Sequence, residues 1–63
     1  MQPYRLMLVD DEEYLRQGVI RRIDWDACGF TVVGEAENGQ AGLELAERLQ
    51  PDVILTDIKM PFM

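Results

Sequence analysis

These 63 residues read as an α/β protein with a small parallel sheet of three strands in the order 2-1-3, and three observations carry that reading. Short apolar runs alternate with stretches of helical period, in the sequence strand, helix, strand, helix, strand. Alternation of this kind joins parallel strands by right-handed crossovers. The runs at residues 6–9 and 53–55 show no polar alternation, as expected of strands covered on both faces. Acids follow the first and the third strand, Asp10 at once and Asp57 after Thr56.

Strand one is expected over residues 5–9, a continuous apolar segment. Helix one is expected over 12–23, where Leu15, Val19, Ile20 and Ile23 recur at helical spacing and Arg16, Arg21 and Arg22 fall off the stripe. "DWDACG", residues 24–29, breaks that period, and Gly29 is a turn residue. Strand two follows as "FTVVGEA", β-branched and aromatic. Asn38-Gly39 signals a turn, and Ala41, Leu45, Ala46 and Leu49 mark helix two, which Pro51 is expected to end. "VILTD", residues 53–57, is strand three. Trp25 and Phe30 are expected to pack against the sheet and helix one, and Met7 and Met60 to act as apolar filling.

Composition excludes several classes. Cys28 is the single cysteine, so an internal disulfide is ruled out. With no histidine, so is a zinc cluster. Cys28 is expected to be a small buried hydrophobe in a reducing compartment. No apolar run approaches the roughly 18 residues of a membrane span, and no signal peptide is recognisable, so the protein is expected to be cytoplasmic. A net charge of −6 argues against nucleic-acid binding by these residues. A chain this short buries only about 60% of the surface its unfolded form exposes, so its own stability is expected to be marginal.

Asp10, Asp11, Glu12 and Glu13 supply four of the twelve acids. Taken alone, "DDEE" is a helix start. Asp10 is expected to cap helix one, with Glu13 reaching back in a capping box and the acids facing the positive end of the helix dipole. Asp57 changes the weighing, because it ends strand three as Asp10 and Asp11 end strand one. With strand one in the middle, the crossovers run in opposite directions, and the switch point falls between strands one and three, where sites in such sheets lie. Adjacent strands are about 4.8 Å apart, so the three aspartates are expected to converge. Their mutual repulsion calls for a cation. Oxygen-only donors point to a hard ion, Mg²⁺. Asp57 is then placed to act as a nucleophile and form an aspartyl phosphate. A nucleotide hydrolase lacks its GxxxxGK[ST] loop here, and a haloacid-dehalogenase-like phosphatase would want an acid where Lys59 stands.

"LMLVDDEEYLRQG", "VVGEAENGQAGLELAERLQPDVILTDIKMPFM" and the element order resemble the receiver domain of bacterial two-component response regulators. The resemblance covers essentially the whole chain. It implies a flavodoxin-like fold, with Asp57 as phosphoacceptor and a sensor histidine kinase as phosphodonor. Mg²⁺ would be held by Asp10, Asp11, Asp57 and the backbone carbonyl of Lys59, Asp11 binding directly and Asp10 mainly through water. Pro61 would shape the loop that follows. "IRRIDWDACGFTVVGEAENG" resembles the subgroup with an AraC-type DNA-binding output domain. Receiver domains have five strands, so residues 1–63 are expected to be the N-terminal half of one, without its output domain, the switch hydroxyl or the strand-five lysine. Thr56 and Lys59 do not take those roles. The expectation is a signalling module and not an enzyme, and a homodimer through the edge of strand three. A structural or self-association piece without phosphoryl chemistry is the alternative.

Overall fold

The computed structural model describes residues 2–56. The elements are β1 (Tyr4–Val9), α1 (Glu13–Arg22), β2 (Phe30–Ala36), α2 (Gly39–Leu49) and β3 (Val53–Thr56). The strands form a parallel sheet in the order β2-β1-β3, as expected. The expected last residue of strand three, Asp57, lies outside the described residues, as do Lys59, Met60 and Pro61.

β1 is the centre of the molecule. Met7 and Leu8 are fully enclosed and Leu6 nearly so. Side chains alternate along a strand. Met7 and Val9 therefore face one layer, where with Ala36 they form the core that Ala41, Leu45, Ala46 and Leu49 of α2 pack against. Leu6 and Leu8 face the other side. There α1 reaches the sheet through Arg16 and Gln17, which both hydrogen-bond Glu35 of β2. The helices thus lie on opposite faces, as the strand order requires.

Two details of β2 make this packing possible. Pairing runs Leu6↔Val32 and then Met7↔Gly34, so Val33 is an extra residue at an irregularity in the ladder. A regular ladder would pair Met7 with Val33 and Val9 with Glu35, turning Glu35 toward α2. The extra residue pairs Glu35 with Leu8 instead, on the side of α1. Gly34 then lies under α2, where a Cβ would stand 2.7 Å from Leu49 Cδ1 and 3.0 Å from Leu45 Cδ2. The helix can approach that closely because no side chain is there.

Several expectations are corrected. β3 is not covered on both faces. Its residues are exposed, Ile54 to 47%. α1 does not bury an apolar stripe. Leu15, Val19 and Ile20 are half-buried, Ile23 is exposed, and the buried residue of the helix is Arg16. Arg16 tolerates burial because its guanidinium is paired with the Glu35 carboxylate and also bonds the Asp10 carbonyl. Pro51 does not end α2. Gln50 does, in the left-handed conformation with φ 51°, donating its N–H to the Ala46 carbonyl. Arg5 then secures the turn by donating Nη1 to the Gln50 carbonyl and its N–H to Asp52 Oδ2.

The turn before β2 holds Gly29 at φ 88°. Trp25 stands edge-on to Phe30 at 6.2 Å between ring centroids, and Tyr4 lies against the same ring. Cys28 is exposed, against the buried position expected for it. It belongs to the surface turn, where its N–H bonds the carbonyls of Asp24 and Trp25. No helix among the described residues is long and apolar enough to cross a membrane.

Candidate functional site: the acidic end of the sheet

β1 carries the chain from the enclosed Leu8 and Val9 straight into Asp10, which is 3% exposed, and then into the exposed Asp11. Asp10 is fixed from three directions. Its N–H donates to the carbonyl of Ala36 at the end of β2, 3.1 Å. Its Oδ1 accepts the N–H of Glu12, 2.8 Å. Its carbonyl accepts Arg16 Nη1 at 2.5 Å. The last of these, with the first, fixes the backbone, and the Glu12 bond offsets part of the cost of burying the carboxylate.

The expected capping box does not form. The residue at the N-cap of α1 is Glu12, and no side chain caps the helix. The Asp10 carboxylate binds the N–H of Glu12, outside the helix, in the turn that Asp side chains make with their own backbone two residues on. Glu13 does occupy the first helical turn, where the helix dipole favours an acid. The carboxylate of Asp10 therefore builds the loop, and Asp11 is carried at the loop's surface.

Behind the loop stands a second charged pair. Arg16 Nε meets Glu35 Oε1 at 2.6 Å, and Gln17 Nε2 donates to the same oxygen at 2.7 Å. The Arg16 hydrogen bond holds the Glu35 carboxyl below the usual carboxylate range, against an opposing effect of burial. Gln17 adds to the lowering. The sequence marks this pair only faintly: Glu35 is the one charged residue of β2, and Arg16 falls off the apolar stripe of α1.

The end of β1 is level with the end of β3, since Val9 pairs with Thr56. In sequence Asp10 follows the first and Asp57 the second. With α1 and α2 on opposite faces, the gap between β1 and β3 is the switch point of the sheet. Asp57 and Lys59 lie outside the described residues. Among the described residues no group of three or more His, Cys, Asp or Glu could hold a metal, so Asp10 and Asp11 form part of a donor set at most. What they offer is carboxylate oxygen at one loop, which fits a hard cation such as Mg²⁺.

Comparison with known proteins gives this geometry its context. The response regulator receiver domain family matches residues 6–63. The nitrate/nitrite response regulator protein NarL of Escherichia coli K12 is 52% identical over 62 residues, covering 98% of this chain and 28% of NarL. The response regulator GacA of Pseudomonas viridiflava is 44% identical over 57 residues, 90% of this chain and 26% of GacA. Among solved structures, the REC domain of AraT, a response regulator from Geobacillus stearothermophilus, superposes with a TM-score of 0.80 at 42% identity. That match covers 95% of this chain and 46% of the AraT chain. The signal receiver domain of NarL from Mycobacterium tuberculosis gives 0.78 at 40% identity, over 100% of this chain and 50% of that one. The chain thus spans about a quarter of the length of these curated relatives and about half of the solved receiver chains. A family match over nearly every residue, on a sheet of receiver topology with its acids at the switch point, leads to one conclusion: the chain belongs to the response regulator receiver domain family.

Proposed function

We propose that residues 1–63 are the N-terminal half of a phosphoacceptor receiver, in which Asp57 takes a phosphoryl group from a sensor histidine kinase. One observation carries the reading: Asp10 is buried and tethered so that Asp11 stands at the carboxyl end of β1, level with the strand that leads into Asp57. Mg²⁺ would be held by Asp11 directly, by Asp10 mainly through water, and by Asp57 and the Lys59 carbonyl. Such an ion supplies positive charge for the transferred oxygens. In the transfer itself an Asp57 carboxylate oxygen forms the new bond to phosphorus. The bond from phosphorus to the donor nitrogen breaks, and the nitrogen keeps the electron pair. Asp10 and Arg16 would hold the loop through this step.

The product would be a signal and not a released metabolite, so the role is that of a cytoplasmic switch and not of an enzyme. Relatives named as transcriptional regulatory proteins, YesN and YdfI of Bacillus subtilis, support control of transcription by the intact protein. An AraC-type output rests on the resemblance of residues 20–39. Acetyl phosphate with Mg²⁺, followed by peptide mass spectrometry, tests the reading. Labelling is expected at Asp57 and lost in Asp57→Asn. For these 63 residues without the strand-five lysine it should be slower than in an intact receiver by on the order of 10²–10³. Label on any other residue would defeat the assignment. A second reading, self-association through the edge of β3, is favoured by the exposure of Val53, Ile54 and Leu55.

A further inference from the structure

Arg16 is buried to 7% exposure in a helix that otherwise shows its side chains at least partly to solvent, and one guanidinium joins three elements. Nε grips Glu35 on β2, Nη1 grips the Asp10 carbonyl after β1, and the stem rises from α1. The Asp10 carbonyl shares a rigid peptide plane with the N–H of Asp11. A donor that fixes this oxygen therefore fixes the plane from which Asp11 projects. We propose that Arg16 is a positioning residue for the cation site, orienting Asp11 through the Asp10–Asp11 peptide, while Glu35 neutralises the guanidinium so that it does not repel the ion. The proposal rests on the reading of Asp11 as a direct Mg²⁺ ligand.

Three features separate this from a simple link between helix and sheet. First, the contact goes to the backbone beside the ligand, not to any group of the core. Secondly, the planar fork of arginine reaches a carboxylate and a carbonyl at once, which the single ammonium of lysine does not. Thirdly, the counter-charge is arranged deliberately: Val33, the extra residue of β2, is what turns Glu35 to this face. Charge and position also predict opposite signs. Removing a nearby cation should by electrostatics alone tighten Mg²⁺ binding, whereas loss of a residue that orients a ligand typically weakens it about 10–100-fold.

The experiment is titration of the full chain with Mg²⁺ alone, followed by backbone amide shifts at residues 10–12. Arg16→Gln should weaken binding about tenfold or more and shift the Asp11 amide even without metal. Arg16→Lys should fall between, and the acetyl phosphate labelling of Arg16→Gln should recover as Mg²⁺ is raised. A folded Arg16→Gln that binds Mg²⁺ as tightly as the parent, or more tightly, overturns the proposal. If Arg16→Gln does not fold, Arg16→Lys decides, and parent-like affinity there overturns it equally. Asp11→Asn provides the separate check, since unchanged binding in that variant defeats the ligand reading itself, whatever Arg16 does.

Discussion

Glu35 is the residue whose ionisation the fold uses most visibly. Its carboxyl is held below the ordinary value of 4.5, chiefly by the Arg16 hydrogen bond. A carboxyl lowered in the folded state adds stability that is fully present above its unfolded pKa and is lost as pH falls through the folded one. Stability should therefore decline from about pH 4.5 downward. Glu35→Gln should lower stability at neutral pH and flatten this part of the acid limb, checked by urea midpoints between about pH 7 and 3. A parent-like acid limb in Glu35→Gln would remove Glu35 from the account. Asp10 and Asp11 stand at the end of β1, where their place after an apolar run put them, while Asp57 lies outside the described residues. Arg16 and Glu35 were far less legible in the sequence. They lie 19 positions apart, and their meeting depends on one extra residue in β2 that leaves no periodic mark. Gly34 is similar. Its close contact with Leu45 and Leu49 is visible only once α2 is laid on the sheet. Because those contacts are the ends of flexible side chains, Gly34→Ala should cost about 1 kcal/mol and Gly34→Val up to about 3, read from thermal or urea unfolding.

The elements themselves were the readable part. β2 begins and ends as expected, and α2 starts where its signals said it should, with Asn38 Oδ1 accepting the Ala41 N–H at 2.8 Å. Asn38→Ala should thus cost about 1 kcal/mol, the usual worth of such a cap. α1 reads less well, because its anchor is a charged side chain and its apolar residues are half-buried. It also carries Gly18 in its interior, where a Cβ would meet nothing within 4 Å. Gly18→Ala should therefore stabilise the protein by about 0.5–1 kcal/mol through backbone entropy alone. The contrast with Gly34 is itself a test. Two glycines of one small domain should respond to the same substitution with opposite signs, and equal signs in unfolding measurements would show that the packing of α2 has been misjudged.

At the scale of the whole molecule the question is what meets β3. Among the described residues β2 and β3 are the outer strands, and Val53, Ile54 and Leu55 are all exposed. Leu43 on α2 is exposed to 69%. An apolar edge with open N–H and C=O groups is a template for another strand. A 63-residue chain with a core of this size has little stability in reserve, so association that covers the edge is favoured by mass action. In the solved AraT receiver about half of the chain has no counterpart here. For the 63 residues by themselves, the proposed homodimer sets β3 against β3 of a second copy, antiparallel across a two-fold axis, giving a sheet of order 2-1-3-3′-1′-2′. Sedimentation at micromolar concentration should show a dimer. A stable folded monomer would refute it. Ile54→Lys, a charge on the edge strand that removes no backbone donor, should shift the equilibrium to monomer while leaving the β1–β3 ladder intact. A longer form of the protein that carries its own strand beyond β3 should be monomeric with or without that substitution, because the edge is then already paired.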